Sequence, residues 1–125
     1  MTTRRPSDEL LARIADRLKA MADPMRLRIL HELEGGEVCV GDLADRVGGS
    51  AANVSKHLAV LRSAGLVRCR RDGMNVCYAV VDGGVFDVCR LVCDSLAVQA
   101  DRLAAELRGG TASPMNIEIP TRRAG

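Results

Sequence analysis

Val40-Gly41-Asp42-Leu43-Ala44-Asp45-Arg46-Val47 is a short run at helical spacing, closed by Gly48-Gly49-Ser50 and resumed by Ala51 to Ser63. In the second segment Val54, Leu58 and Leu61 recur on one face, the pattern of an amphipathic helix entered through a glycine turn. Next, Leu66-Val67-Arg68-Cys69-Arg70-Arg71 and Asn75-Val76-Cys77-Tyr78-Ala79-Val80 flank Asp72-Gly73, a dipeptide that readily supplies the positive φ angles of a tight hairpin. Helix, glycine turn, helix and basic hairpin together predict a winged helix-turn-helix: a mostly α chain with a β-hairpin wing.

Charge follows the same stretch. From residue 46 to residue 71 the bases are Arg46, Lys56, Arg62, Arg68, Arg70 and Arg71, with no acid among them; removing those six from the 18 bases leaves 12 against 16 acids, or −4 for the rest. A net charge of only +2 thus covers a polarised molecule, as expected when one face meets phosphates.

A chain of 125 residues is one domain with a modest core. Phe86 and Tyr78 are its only aromatics, so Leu, Val, Ile, Ala, Met and Cys must fill the interior, and dimerisation would bury more of them. The start, Met1-Thr2-Thr3-Arg4-Arg5-Pro6, has no continuous apolar run; neither a signal peptide nor a membrane span is expected. Five cysteines, at 39, 69, 77, 89 and 93, are an odd number without the spacing of a disulfide framework, which points to a reducing, cytoplasmic location.

Around the central unit, residues 1–7 are expected to be flexible, 8–108 to form the domain and 109–125 to be a flexible tail. Ser7 or Asp8 caps a first helix to about Ala22 with Leu11, Ile14, Leu18 and Met21 along its stripe. Asp23-Pro24 stops it and starts a second, Met25 to Glu34, that ends at Gly35-Gly36. After Asp82-Gly83-Gly84 a long helix runs from about Val85 to Arg108, with Phe86, Cys89, Val92, Cys93, Leu96, Ala100, Leu103 and Leu107 on one side and Val88, Leu91 and Val98 on the other. A helix so apolar around its first half is predicted to be buried on more than one side, as at a dimer interface.

A DNA reader needs a helix that fits the major groove and side chains that reach base edges and phosphates. Ser50-Ala51-Ala52-Asn53-Val54-Ser55-Lys56-His57 supplies small residues for close approach, then Asn53, Ser55, Lys56 and His57 on the polar side. Asn53 is the candidate for base readout, because its amide both donates and accepts. Lys56, Arg62, Arg68, Arg70 and Arg71 suit phosphate contacts, and a wing-tip arginine can also enter a minor groove. The competing use of such a surface is protein binding, with the bases merely solvated.

Cys89 and Cys93 are four residues apart, one helical turn, and can clamp one soft ion but not form an unstrained disulfide. Cys39 opens the third helix, where the helix dipole favours thiolate. If these regions meet, three thiolates converge on a thiophilic ion such as trivalent arsenic or antimony; alternatively Cys39 bonds to Cys89 or Cys93 as a redox or polysulfide switch, or the cysteines simply pack. Cys69 and Cys77 lie on the two hairpin strands, nearly opposite one another or not depending on the turn, with packing between wing and body as their role. His31 and His57 are too isolated for a metal centre. Neither a phosphate loop, a nucleophile elbow nor a paired carboxylate is present, so no enzyme is expected; a thiol-rich metal carrier would not need Asn53, Lys56 and an arginine-rich wing.

Leu43-Ala44, the run Asn53-Val54-Ser55-Lys56-His57-Leu58-Ala59-Val60-Leu61-Arg62-Ser63-Ala64-Gly65-Leu66-Val67, and Ala22-Asp23-Pro24-Met25-Arg26-Leu27-Arg28-Ile29-Leu30 before them resemble the ArsR/SmtB family of bacterial winged-helix repressors over roughly residues 10 to 107. The resemblance implies a homodimer joined through its first and last helices, bound to an inverted-repeat operator in double-stranded DNA without any cofactor, and released when a small inorganic inducer or an oxidant is sensed. Arsenical repressors of the best-known type carry a Cys-Val-Cys-Asp-Leu motif on the third helix, where this chain has Cys39-Val40-Gly41-Asp42-Leu43. One thiol of that motif is kept, and Cys89 and Cys93 are positioned in sequence to supply the others.

Overall fold

Capping residues set the helix starts. The structure is a computed structural model that describes residues 5–109; the expected tail beyond Gly109 and the first four residues lie outside it. Ser7 accepts the Leu10 amide at 3.0 Å and opens α1 (Asp8–Met21), with Asp8 and Glu9 in its first turn, where negative charge complements the helix dipole. Asp23 accepts the Met25 and Arg26 amides at 2.9 and 3.1 Å and opens α2 (Pro24–Glu32). Proline fits that first position because its missing N–H would have no helical partner. Val38–Cys39 forms β1 and leads into α3 (Val40–Val47), which Gly48 ends in the left-handed region at φ 75°. Ser50 accepts the Asn53 amide and opens α4 (Ala51–Ser63).

The wing is β2 (Val67–Asp72) and β3 (Asn75–Val80), followed by α5 (Gly84–Gly109). The order is thus α1-α2-β1-α3-α4-β2-β3-α5. β1 pairs antiparallel with β3, so the sheet has three strands in the order β1-β3-β2. The expected hairpin of two strands is corrected to this extent: a strand of two residues is too short to show alternation. Asp72 pairs with Asn75, which puts the turn at Gly73-Met74, one residue later than expected, with Gly73 at φ 65°.

The described residues divide into two compact units, 5–87 and 88–109. In the first, Ile29, Leu30, Leu43, Val54, Leu58 and Leu61 are at most 1% exposed. They come from α2, α3 and α4, whose stripes close on one another. Each such side chain removed from water stabilises the fold by roughly 1.5–3 kcal/mol. Met21 of the α1 stripe is buried, but Leu11, Ile14 and Leu18 are 42–48% exposed. On α5 only Val85 is buried; Leu91, Val92, Leu96, Val98, Leu103 and Leu107 are 55–77% exposed. Within one chain, therefore, the faces predicted to be buried lie open to solvent. No helix among the described residues is long and apolar enough to cross a membrane.

Candidate nucleic-acid interface and thiol sites

The inner stripe of α4 decides what its outer side presents. Val54, Leu58 and Leu61 are fully buried, which turns Asn53, Ser55, Lys56 and Arg62 outward as exposed residues. Among the described residues none of these four side chains has a hydrogen-bond or ion-pair partner. Ser50 is exposed too, and its hydroxyl caps the helix through the Asn53 amide at 3.1 Å. Ala51 and Ala52, both exposed, leave the first turn low enough for close approach.

His57 is placed differently from its neighbours. Its Nδ1 lies 3.2 Å from the Arg26 Nη1 and 3.9 Å from the Asp23 Oδ2, and the ring is largely covered. Position 57 borders the buried stripe, one residue before Leu58, which is the signal that turns the imidazole toward α2. Arg26 also donates from Nε to the Ala20 carbonyl at 2.6 Å. Asp23 stays ionised below the usual carboxylate range, chiefly because the Arg26 amide donates to it, with smaller help from His57 and the Met25 amide. Asp23, Arg26 and His57 thus tie the end of α1, the start of α2 and the middle of α4 into one node that sequence reasoning did not find.

The wing holds its cations more tightly. Arg70 makes a two-pronged ion pair with Glu37, Nε to Oε2 at 3.0 Å and Nη2 to Oε1 at 2.6 Å. This pairing is what lowers the Glu37 pKa and raises that of Arg70. The sequence run without acids ends at Arg71, but the fold brings Glu37 back against it. Arg68 reaches the Val80 carbonyl at 3.4 Å. Arg71 is exposed, with no partner among the described residues. α4 and β2 pack on each other.

The register rearranges the thiols. Cys69 pairs with Tyr78 and Cys77 with Arg70; since successive side chains alternate faces, the two cysteines point to opposite sides of the ribbon. The turn thus excludes the arrangement in which they face each other. Cys77 instead lies directly across from Cys39, and the two sulfurs are joined as a disulfide. Cys39 was expected to bond, if at all, to Cys89 or Cys93; its partner is on the wing, because the unforeseen β1 brings it there. Cys39 is half-buried and Cys77 is 1% exposed. On α5, Cys89 is half-buried and Cys93 exposed. Among the described residues no group of three or more His, Cys, Asp or Glu side chains is gathered as a metal site.

Residues 21–70 match the family described as a helix-turn-helix domain. Over 83 residues the chain is 43% identical to the transcriptional repressor SmtB homologue of Synechocystis, covering 66% of this chain and 63% of that one; it spans just under two thirds of that relative's length. The solution structure of a homodimeric winged helix-turn-helix DNA-binding domain from Mycobacterium bovis, a possible ArsR-family transcriptional regulator, is similar at 34% identity and a TM-score of 0.61, covering 81% of this chain and 94% of that one. The crystal structure of the AntR antimony-specific transcriptional repressor is similar at 29% identity and a TM-score of 0.65, covering 82% and 99%. These relatives are transcriptional regulators rather than enzymes. A chain with this element order, this exposed outer side of α4 and these likenesses belongs to the ArsR/SmtB family of winged-helix transcriptional regulators.

Proposed function

We propose that the protein is a cytoplasmic, homodimeric repressor that grips an inverted-repeat operator with α4 and the wing and lets go when a thiophilic ion binds its cysteines. The observation that carries the DNA-binding half is the outer side of α4, where Asn53, Ser55, Lys56 and Arg62 are exposed while the helix is fixed from beneath by Val54, Leu58 and Leu61. Asn53 reads a base edge, and Lys56, Arg62, Arg68 and Arg71 hold phosphates. Ser50 and Ser55 add hydroxyls near the backbone, and His57 positions α4 rather than touching DNA. The exposed apolar sides of α1 and α5 support a dimer: a chain that left six large side chains of α5 in water would bury them against a second copy.

For the inducer, the donor chemistry favours a soft ion. Cys89 and Cys93 sit one turn apart on α5, and Cys39 joins them when it is not bonded to Cys77. Trivalent arsenic or antimony suits three thiolates, and the likeness to an antimony-specific repressor supports that choice. A second reading, release by cysteine oxidation or persulfidation, is favoured by the exposed thiol of Cys93.

Fluorescence anisotropy on a duplex from directly upstream of the protein's own reading frame tests both halves. The expected result is sequence-selective binding that weakens steeply with salt and is lost on adding arsenite or antimonite to reduced protein, with loss of the response in Cys89→Ser and Cys93→Ser. Absence of any salt-sensitive, selective binding would overturn the repressor reading. Release by an organic persulfide but by no soft ion would overturn the metal reading and leave the redox one.

A further inference from the structure

We propose that Cys39 and Cys77 are a reversible thiol–disulfide pair that locks the wing onto the helix-turn-helix, so that a low-molecular-weight disulfide sets how rigidly the DNA-contacting surface is held. The effect on DNA rests on the repressor reading; the chemistry of the pair does not.

The two residues are 38 apart in sequence, yet the register sets them directly opposite on β1 and β3. An antiparallel pair brings opposed Cβ atoms to about 4.5 Å at its closest, the upper end of what a disulfide spans. Cys39 ends β1 and is also the N-cap of α3, where it makes no side-chain cap. Its sulfur is therefore committed to the wing while its backbone begins the first helix of the helix-turn-helix. Without the bond, the junction is held by short strand pairing and by packing. β1 contributes only two residues, in register with Tyr78 and Cys77, and the Arg70–Glu37 ion pair is exposed and screened by salt. A covalent link adds a constraint that pairing and packing do not. Cys69 cannot substitute for either partner, because it faces the other side of the ribbon opposite Tyr78.

Burial gives the order of events. Cys39 is half-buried and Cys77 nearly sealed, so an outside reagent meets Cys39 first. The Cys39 thiolate attacks one sulfur of a disulfide RSSR, forming a Cys39–SR bond and expelling RS⁻, which takes up the proton Cys39 gave up. Cys77 then attacks the Cys39 sulfur; the Cys39–Cys77 bond forms, the bond to SR breaks, and the second RS⁻ leaves with the proton of Cys77. Two protein thiols lose two electrons, and RSSR is reduced to two RSH. Excess RSH runs the sequence backwards. Oxidation also withdraws Cys39 from any soft-ion site, so the two signals compete for one sulfur.

The full chain is equilibrated across ratios of oxidised to reduced glutathione, quenched in acid, alkylated and mapped by mass spectrometry. Amide hydrogen exchange in β1 and β3 and anisotropy on the upstream duplex are followed in parallel. The expected result is a Cys39–Cys77 linked peptide whose fraction follows the ratio in both directions. In the linked form, exchange in β1 and β3 slows about tenfold and the duplex is held about three- to tenfold more tightly, since less ordering remains for binding to supply. Cys39→Ser removes the dependence, and Cys69→Ser keeps it. Comparing wild-type protein in its two states needs no variant to fold. Glutathione left as mixed disulfides, a link from Cys39 to Cys89 or Cys93, or a link that leaves wing exchange unchanged and affinity within twofold would overturn the proposal. Loss of duplex binding in both states would count against the repressor reading, while the mass and exchange readouts still decide the link.

Discussion

α4 and the wing are both basic and pack on each other, but they keep their polar side chains in opposite ways. On α4 the exposed polar side chains have no partner among the described residues, and the helix is held from its buried side by Val54, Leu58 and Leu61. On the wing Arg70 is paired with Glu37, Arg68 leans on the Val80 carbonyl and Cys77 is bonded to Cys39. A surface meant to read an outside ligand is best held by its apolar side, which leaves every polar group available. The wing, a hairpin with only a two-residue third strand beside it, buries little and spends polar groups on holding itself in place.

The difference breaks most completely if the seat of α4 is removed. Leu58 is 0% exposed, and Leu58→Ala is expected to cost about 2–5 kcal/mol, read as a lowered midpoint in urea with DNA binding lost alongside. Asn53→Ala touches only the outer side. It should leave the urea midpoint unchanged and weaken the selective complex by roughly 1–3 kcal/mol, with little change on unrelated duplex. A similar loss on both duplexes would make Asn53 a backbone contact instead.

These two helices were legible because burial sets their period. The boundaries of α3 and α4 fall at Val40, Val47, Ala51 and Ser63 as the glycines and the Leu and Val spacing required, and α2 ends at Glu32, two residues early, because the chain turns over Leu33. The wing was legible only as a hairpin. Its register depends on where Gly73 takes positive φ, and a shift of one residue moves Cys77 from Cys69 to the opposite face. The partners of Cys77 and Arg70 then come from Val38–Cys39 and Glu37, more than 30 residues away in sequence, beyond anything local spacing records. His57 was read from its polarity, although its place beside Leu58 already turned it toward Asp23 and Arg26.

Salt dependence sharpens the contrast among the wing arginines. Arg71 has no partner among the described residues, so Arg71→Ala should reduce the slope of log affinity against log salt by about 0.9. Arg70→Ala should reduce it less, because its guanidinium already neutralises Glu37. Glu37→Gln releases Arg70 and should raise the slope by up to about 0.9. Equal slopes for the two arginine variants would mean that the ion pair opens on DNA.

The smallest effect separates the node beneath α4 from both surfaces. Asp23 is held below the ordinary carboxylate value of 3.8, first by the Arg26 amide. A group whose folded pKa is depressed contributes its stability fully above the unfolded pKa and loses it as pH falls through the folded one. Asn in its place still accepts the Met25 and Arg26 amides but carries no charge. Asp23→Asn should therefore melt below wild type at neutral pH, with the gap closing as pH drops below about 3.8 and vanishing once Asp23 is protonated in the folded state. Selective DNA affinity at neutral pH should change little, since α4 keeps its buried seat. A fall in affinity as large as that of Asn53→Ala would show that the charge at Asp23, acting through Arg26 and His57, sets the angle at which α4 meets the groove.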